Sequence, residues 1–257
     1  MKLLVTGSKG FVGSHLISAL EKHGHNVDAI DWSDGKIPDV KPYNWVIHAG
    51  AISSTAERNV DKIMLQNYDF SVELYKQCRF HSINFQFSST AAIYGANIAF
   101  DEDSPVDPRT PYAWSKYMTE RYIQNNPSSQ SCAQIFRYFN VYGPEGEEHK
   151  GNQASPYMQF KQQAISNGKI KIFQNSNEAK RDFIHVSRIV EMHLAFMNIN
   201  QSGIFNFGTG TTKSFLEVAQ TFNVPLEEVP MPENLKNGYQ WYTCADMTKT
   251  NRALNGV

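Results

Sequence analysis

A tyrosine and a lysine four residues apart, in Tyr112-Ala113-Trp114-Ser115-Lys116, are the most chemically loaded pair in this sequence. On a helix, residues at that spacing share a face, so both side chains can address one reacting centre. A free phenol titrates near 10, too high for a base at neutral pH. A neighbouring ammonium and a cationic ring favour the phenolate and lower that value. Pro111–Asn125 reads as the helix that carries the pair, with proline in the first turn, where a missing amide does no harm. The pattern is common on exposed helices, and its weight here comes from what surrounds it.

Upstream, Gly7-Ser8-Lys9-Gly10-Phe11-Val12-Gly13 follows an apolar run directly and opens a helical pattern. Gly7 suits a tight turn, Gly10 lets the backbone approach a pyrophosphate, and Gly13 permits close helix–strand packing. The free amides of the helix start then meet the phosphate charge. Asp31 ends the next apolar run at the distance expected of a ribose-binding acid. A nicotinamide dinucleotide is the expected cofactor. Asp31 favours NAD, because a carboxylate repels a 2′-phosphate; Lys36, soon after, would serve NADP, and both stay open.

The elements that must position these groups alternate in a regular way. Lys2–Thr6, Asn26–Asp31, Asn44–His48, Ile83–Phe87 and Ala133–Phe139 read as strands. Phe11–His23, Arg58–Arg79 (with Leu65, Val72 and Leu74 among its apolar positions) and Pro111–Asn125 read as helices between them. That is an α/β, Rossmann-type parallel sheet with helices on both faces. Ligands bind such sheets at the carboxyl ends of the strands, here across the switch point between the first and third. Asp31 to Asn44 is too short for a strand plus a crossover helix. The sheet is therefore expected to be shortened by one edge strand, with the second strand at the edge and a more open adenine end.

Later segments are helical at Ser155–Asn167, Ser187–Asn198 and Ser214–Phe222 and extended at Ile170–Phe173 and Gly203–Phe207. They lack strict alternation and read as a small C-terminal substrate-binding lobe. The division expected is 1–139 for the dinucleotide-binding domain, with 183–207 returning to it, and 140–182 with 208–257 for the lobe.

At 257 residues and a net charge of −1, the chain has no basic field for nucleic acid or anionic lipid. No apolar stretch approaches a signal peptide or a membrane span. Cys78, Cys132 and Cys244 are few, odd in number and widely spaced, which fits reduced thiols, no metal site and a cytoplasmic location.

The GxxGxxG spacing, "HAGA" at His48–Ala51 and "FSSTAAIYG" at Phe87–Gly95 resemble the extended short-chain dehydrogenase/reductase superfamily. The resemblance places cofactor contacts at Gly7, Gly10, Phe11, Val12, Gly13, Asp31, Trp32, Ala49, Gly50, Ala51, Ser53, Asn67, Tyr112, Lys116 and Val141. It makes Thr90, where the family usually has Ser, the hydroxyl partner of Tyr112. His48 reads as a satisfied histidine at a strand end rather than a ligand.

Further segments sharpen the likeness: "RYFNVYGPEGEEHKG" at Arg137–Gly151, "KRDFIHV" at Lys180–Val186, "SGIFNFGTGTTKSF" at Ser202–Phe215 and "GYQWYTCADMT" at Gly238–Thr248. They resemble ADP-L-glycero-D-manno-heptose 6-epimerases, with "HKG" followed by "AS" the most specific part. The resemblance implies a two-base epimerisation in which hydride leaves the sugar's C6″, a ketone turns in the pocket, and the hydride returns to its other face. Catalytic roles would fall to Tyr112, Lys116, Thr90 and Lys150, with Lys150 opposite Tyr112. Substrate contacts would be Asn140, Asn152, Gln159, Phe173, Gln174, Asn175, Ser176, Arg181 and Tyr239. Asn152 stands where the family usually has Ser, and Gln159 where it has His, so the sugar stays open. Arg181 would hold the diphosphate of a nucleotide-diphosphate sugar; a bridge from it to Asp182 is not expected, since adjacent residues of an extended segment face apart.

The competing enzyme readings are a 4-epimerase, a dehydratase or a reductase of another nucleotide sugar. Thr90-Ala91-Ala92 lacks the acidic pair dehydratases commonly carry there. A non-catalytic dinucleotide sensor is the alternative from another class, against which the Tyr112, Lys116 and Thr90 trio argues. The same superfamily often pairs the helices at Arg58–Arg79 and Pro111–Asn125 across a two-fold axis, so a homo-oligomer is expected.

Overall fold

A computed structural model describes residues 1–32, 35–54, 57–143, 146–233 and 239–256; the side chains of His149 and Asn152 also lie outside the description. Strand β1 (Lys2–Thr6) runs into helix α1 (Phe11–Lys22), then β2 (Asn26–Ile30) and β3 (Trp45–His48). Helix α2 (Val60–Ile63) passes through a π-helical turn at Met64–Asp69 into α3 (Phe70–Phe80). Strand β4 (Asn84–Thr90) leads through a 3₁₀ turn at Ala91–Tyr94 to α4 (Pro111–Asn125) and β5 (Ala133–Tyr138).

Beyond it come β6 (Asn140–Tyr142), a 3₁₀ segment at Glu148–Gln153, α5 (Pro156–Asn167) and β7 (Ile170–Phe173). The chain continues through β8 (Lys180–Arg181), β9 (Phe183–His185), α6 (Val186–Phe196) and β10 (Gly203–Phe207). It ends with β11 (Lys213–Ser214), α7 (Phe215–Gln220), β12 (Leu226–Val229), β13 (Tyr242–Thr243) and α8 (Thr248–Asn255).

The main sheet has the order β10-β5-β4-β3-β1-β2, with every neighbouring pair parallel. Alternation along the strands divides the core. Leu4, Val46, Phe85 and Phe87 meet Leu74 and Tyr75 of α3 and Ile123 of α4, while Leu3, Val5 and Ile47 meet Leu16 and Leu20 of α1. Each such side chain contributes about 1.5–3 kcal/mol by leaving water. The expected Rossmann-type sheet with helices on both faces is present, and the switch point falls between β1 and β3.

Among the described residues nothing pairs with the outer edge of β2. The short connection that follows packs Trp32, Ile37, Val40 and Tyr43 onto the same core face that α3 covers. Tyr43 also donates to Asp28 Oδ2 at 2.8 Å, tying that connection to the edge strand. Ser33 and Asp34 lie outside the described residues. Smaller sheets, β11-β8-β13, β12-β7 and β6-β9, build the rest.

One expectation fails inside Arg58–Arg79. The run is not a single α-helix, and Leu65 is 53% exposed rather than core. The π turn adds a residue to one turn and shifts the apolar phase.

Candidate active site

The glycine loop fits a dinucleotide. Gly7 has φ +74°, and a Cβ there would lie 2.5 Å from Gly50 Cα; one at Gly13 would lie 2.1 Å from Gly7 O. The two loops after β1 and β3 therefore approach as closely as bare backbone allows. Gly10 is the N-cap of α1 without a side-chain hydrogen bond, which leaves the amides at Phe11, Val12 and Gly13 to an anion. Phe11 is buried, and Val12 packs into the core beneath.

Asp31 Oδ2 accepts from Ser8 Oγ at 2.8 Å and from Lys9 N at 3.0 Å, so the acid is clamped to the glycine loop. Trp32 stacks edgewise on Phe70 at 5.4 Å. Together with Gly7, Gly10, Ala49, Gly50, Ala51 and Gln66 they line a cavity of about 150 Å³. Gln66 and Phe70 had no sequence signal. Ser53 is exposed on the following loop.

His48 is a lock for that loop. Gly50 N donates to Thr6 Oγ1 at 3.2 Å, so the Thr6 hydroxyl hydrogen faces His48 Nδ1 at 2.6 Å. Ser71 Oγ donates to Asn67 O at 2.5 Å, so His48 Nε2 is the donor to Ser71, at 2.7 Å. Burial pushes this ring down to about 3, and it stays neutral. It is the satisfied histidine expected. Asn67, expected against the cofactor, is fully buried instead: its amide bonds Ile52 N (2.8 Å), Ile52 O (3.0 Å) and Ser115 Oγ (3.1 Å). It pins the β3 loop to α4 from beneath.

Helix α4 starts where Thr110 caps Ala113 N at 3.1 Å, which sets Tyr112 in the first turn. Thr90, at the carboxyl end of β4, accepts from Ala92 N at 3.1 Å. Burial raises the Tyr112 phenol above its ordinary value, and the Thr90 hydroxyl opposes that rise. The expected lowering by Lys116 is not present. The Lys116 ammonium donates instead to Ser88 O at 2.8 Å and lies 4.5 Å over the Phe87 ring. Its side chain is buried, which pulls it down to about 7, and Glu120 one turn further along works against the fall.

Glu120 belongs to a buried knot under the site. It accepts from Arg137 Nη2 at 2.7 Å and from Ser89 Oγ at 2.5 Å, and the Arg137 guanidinium stacks 4.9 Å from Tyr94. The i,i+4 step from Lys116 was the available sequence signal for Glu120.

A second cavity of about 760 Å³ is bounded by β6, α5, β7, β8 and the segment beginning at Tyr239. Asn140, Gln159, Phe173, Gln174, Asn175, Ser176, Arg181 and Tyr239 all line it. Arg181 is 7% exposed, and its guanidinium sits between the rings of Phe215 (5.6 Å) and Tyr239 (5.4 Å). Asp182 faces away and takes the amides of Thr209, Gly210 and Ala245. Burial lowers Arg181 from its usual value. Among the described residues no carboxylate pairs with Arg181, whose Nη1 donates to Lys180 O at 3.0 Å, and a desolvated cation so placed in a cavity suits an anion. Phe215, Met231 and Trp241 also line this cavity and were not foreseen.

Val141 sits partly buried in β6, against the core under α6. The Lys150 ammonium lies 4.6 Å over the Phe11 ring at the head of α1 and 3.7 Å from Glu147 Oε2. The Asn152 side chain and Gly238 fall outside the described residues. The cysteines Cys78, Cys132 and Cys244 are free, and no described helix is long and apolar enough to cross a membrane.

Similar architectures are known. The Helicobacter pylori ADP-L-glycero-D-manno-heptose-6-epimerase superposes with a TM-score of 0.88 at 22% identity, covering 99% of this chain and 90% of that one. The Thermotoga maritima UDP-glucose 4-epimerase, solved with UDP-glucose, gives 0.85 at 25% identity, covering 99% and 93%. The Thermus thermophilus UDP-glucose 4-epimerase, solved with NAD, gives 0.81 at 24%, covering 98% and 92%. The family model for NAD dependent epimerases/dehydratases matches residues 3–208, which span both glycine loops, the Thr90–Tyr112–Lys116 group and Arg181. With that match over most of its length, the chain belongs to the NAD dependent epimerase/dehydratase family.

Proposed function

We propose that the protein epimerises a nucleotide-diphosphate sugar by transient oxidation, with ADP-glycero-manno-heptose, inverted at C6″, as the substrate. The observation that carries the reading is the desolvated Arg181 in the large cavity, in a chain whose loops after β1 and β3 meet at bare-backbone distance and whose Thr90 hydroxyl opposes the burial that raises Tyr112. A bound nicotinamide dinucleotide supplies a hydride acceptor that later gives the hydride back. Tyr112, as a phenolate to which the Thr90 hydroxyl donates, takes the sugar hydroxyl proton and becomes the neutral phenol, and Lys116 stands one helical turn further along. Lys150 carries the proton on the opposite face. Arg181 grips the diphosphate, with Asn140 and Gln159 toward the sugar.

NAD is the cofactor proposed over NADP, because the clamped Asp31 holds a negative charge where a 2′-phosphate would sit. Residues 1–139 with 183–207 act as the dinucleotide half and the remainder as the substrate lobe. The free thiols fit a reducing cytoplasm.

The second reading is a 4-epimerase of a UDP-sugar, favoured by the Thermotoga maritima likeness at 25% identity. Incubation with both epimers of ADP-heptose and with UDP-glucose, followed by NMR of the sugar, separates the two. Interconversion of the heptose epimers supports the first reading. Turnover of UDP-glucose alone replaces it with the second, and no turnover of any nucleotide sugar ends both.

Val60, Leu65, Trp114 and Met118 stand 38–53% exposed on α2, the π turn and α4. We propose that these helices meet their copies in a homo-oligomer. Light scattering at micromolar concentration should report at least a dimer, and a stable monomer overturns this.

A further inference from the structure

A buried carboxylate lies beside Lys150 in a place the reaction scheme leaves unused. The Glu147 side chain is 1% exposed, and its Oε2 is 3.7 Å from Lys150 Nζ. Its two oxygens also accept from Ser155 N and Ser155 Oγ, each at 2.7 Å. Ser155 is the N-cap of α5, its Oγ accepting from Met158 N at 3.3 Å, and α5 walls the large cavity through Pro156, Gln159 and Phe160. One side chain thus joins the candidate proton carrier to the helix that lines the sugar-nucleotide cavity.

The clasp to Ser155 does not need a charge. A glutamine oxygen could accept from the Ser155 amide, with the glutamine nitrogen donating to Ser155 Oγ in place of the second carboxylate oxygen, without the cost of burying an anion. What calls for a carboxylate is the ammonium beside it. We infer that Glu147 is the positioning residue of Lys150, fastening its turn to the head of α5 and holding the ammonium charged and seated on the Phe11 ring. The inference rests on the reading of Lys150 as the second proton carrier.

The surroundings of Lys150 make Glu147 the charge that matters. From α1 it meets the Phe11 ring, with His15 next to it, whose Nδ1 is turned to Phe11 O at 2.8 Å. From its own segment, Glu148 is exposed and bonded to Gly146 N at 2.8 Å. Burial draws the ammonium below its ordinary value, and Glu147 is the group that opposes it. Without that charge, Lys150 would lose its proton at lower pH and leave the Phe11 ring.

The test is a titration of ¹³C-methylated lysines by NMR, with the Lys150 resonance assigned by its absence in Lys150→Arg. Glu147→Gln keeps an acceptor for Ser155 and should lower the Lys150 midpoint by about one pH unit or more. Ser155→Ala weakens the clasp alone and should lower the melting temperature while the midpoint stays. Should Glu147→Gln not fold, Glu147→Asp, which draws the charge back from the ammonium, should lower the midpoint by a smaller step. An unmoved midpoint in the folded variant overturns the inference. The reading beneath it has a separate test: normal epimerisation by Lys150→Ala would remove the proton-carrier role whatever the midpoint does.

Discussion

The Thr90 hydroxyl at the end of β4 is fixed by the amide of Ala92 at 3.1 Å, and it opposes the rise that burial imposes on the Tyr112 phenol. The hydroxyl accepts from that amide and keeps its own hydrogen to donate to a phenolate. It stabilises the phenolate against a burial that raises the phenol.

Thr90→Val should therefore push Tyr112 further up. The rise of kcat/KM with pH should begin at higher pH, and the rate at neutral pH should fall by about 10²–10⁴. Thr90→Ser keeps the hydroxyl and should restore the profile. A Thr90→Val variant with an unchanged pH–rate profile would contradict this.

Lys116 should mark the pH dependence of stability. Its folded value, about 7, lies below the ordinary 10.5. Between those values the unfolded chain binds a proton that the folded chain does not, so this group makes stability rise with pH, by ~1.4 kcal/mol per unit. Below pH 7 the full penalty is present. Lys116→Met should lack that rise, so its advantage over the natural protein should shrink from pH 7 to pH 10. Urea unfolding at several pH values checks it, and parallel curves would count against the depressed lysine.

The Glu120–Arg137 pair is buried on both sides, at 0% and 3% side-chain exposure. Removing one partner leaves the other charge uncompensated. Glu120→Ala should cost about 3–5 kcal/mol in urea unfolding, whereas replacing both partners with apolar residues should cost less. A loss under 1 kcal/mol would show that the knot is not needed.

Gly13→Ala should damage cofactor binding before anything else, since the new methyl would strike the Gly7 carbonyl that shapes the phosphate loop. Dinucleotide affinity by calorimetry should fall at least tenfold, which is about 1.4 kcal/mol. Wild-type affinity would contradict the close packing described.

The strands and helices of the main sheet were legible because their patterns are local in origin. Lys2–Thr6, Pro111–Asn125, Ile170–Phe173 and Gly203–Phe207 have the bounds their periodicity predicts. The π turn was not legible, since it exists to let Asn67 bond Ile52 and Ser115, partners 15 and 48 residues away. Two-residue strands such as β8, β11 and β13 are set by tertiary pairing that no pattern of that length can encode. The spacing of Tyr112 and Lys116 was readable, but the direction of the lysine was not. Its ammonium turns to the Ser88 carbonyl because β4 passes beneath α4 at that point. Glu147 was hidden for the same reason: in sequence it is one acid of a charged loop, and only the fold buries it against Ser155.

The most direct test of the central claim is isotopic. ADP-glycero-manno-heptose with deuterium at C6″ is incubated with the protein and excess unlabelled NAD, and the product is read by NMR and mass spectrometry. Transient oxidation with return of the same hydride predicts an inverted C6″ that keeps its deuterium. Inversion with loss of deuterium to solvent or to the free cofactor pool would contradict the account, as would a C6″ that is never inverted.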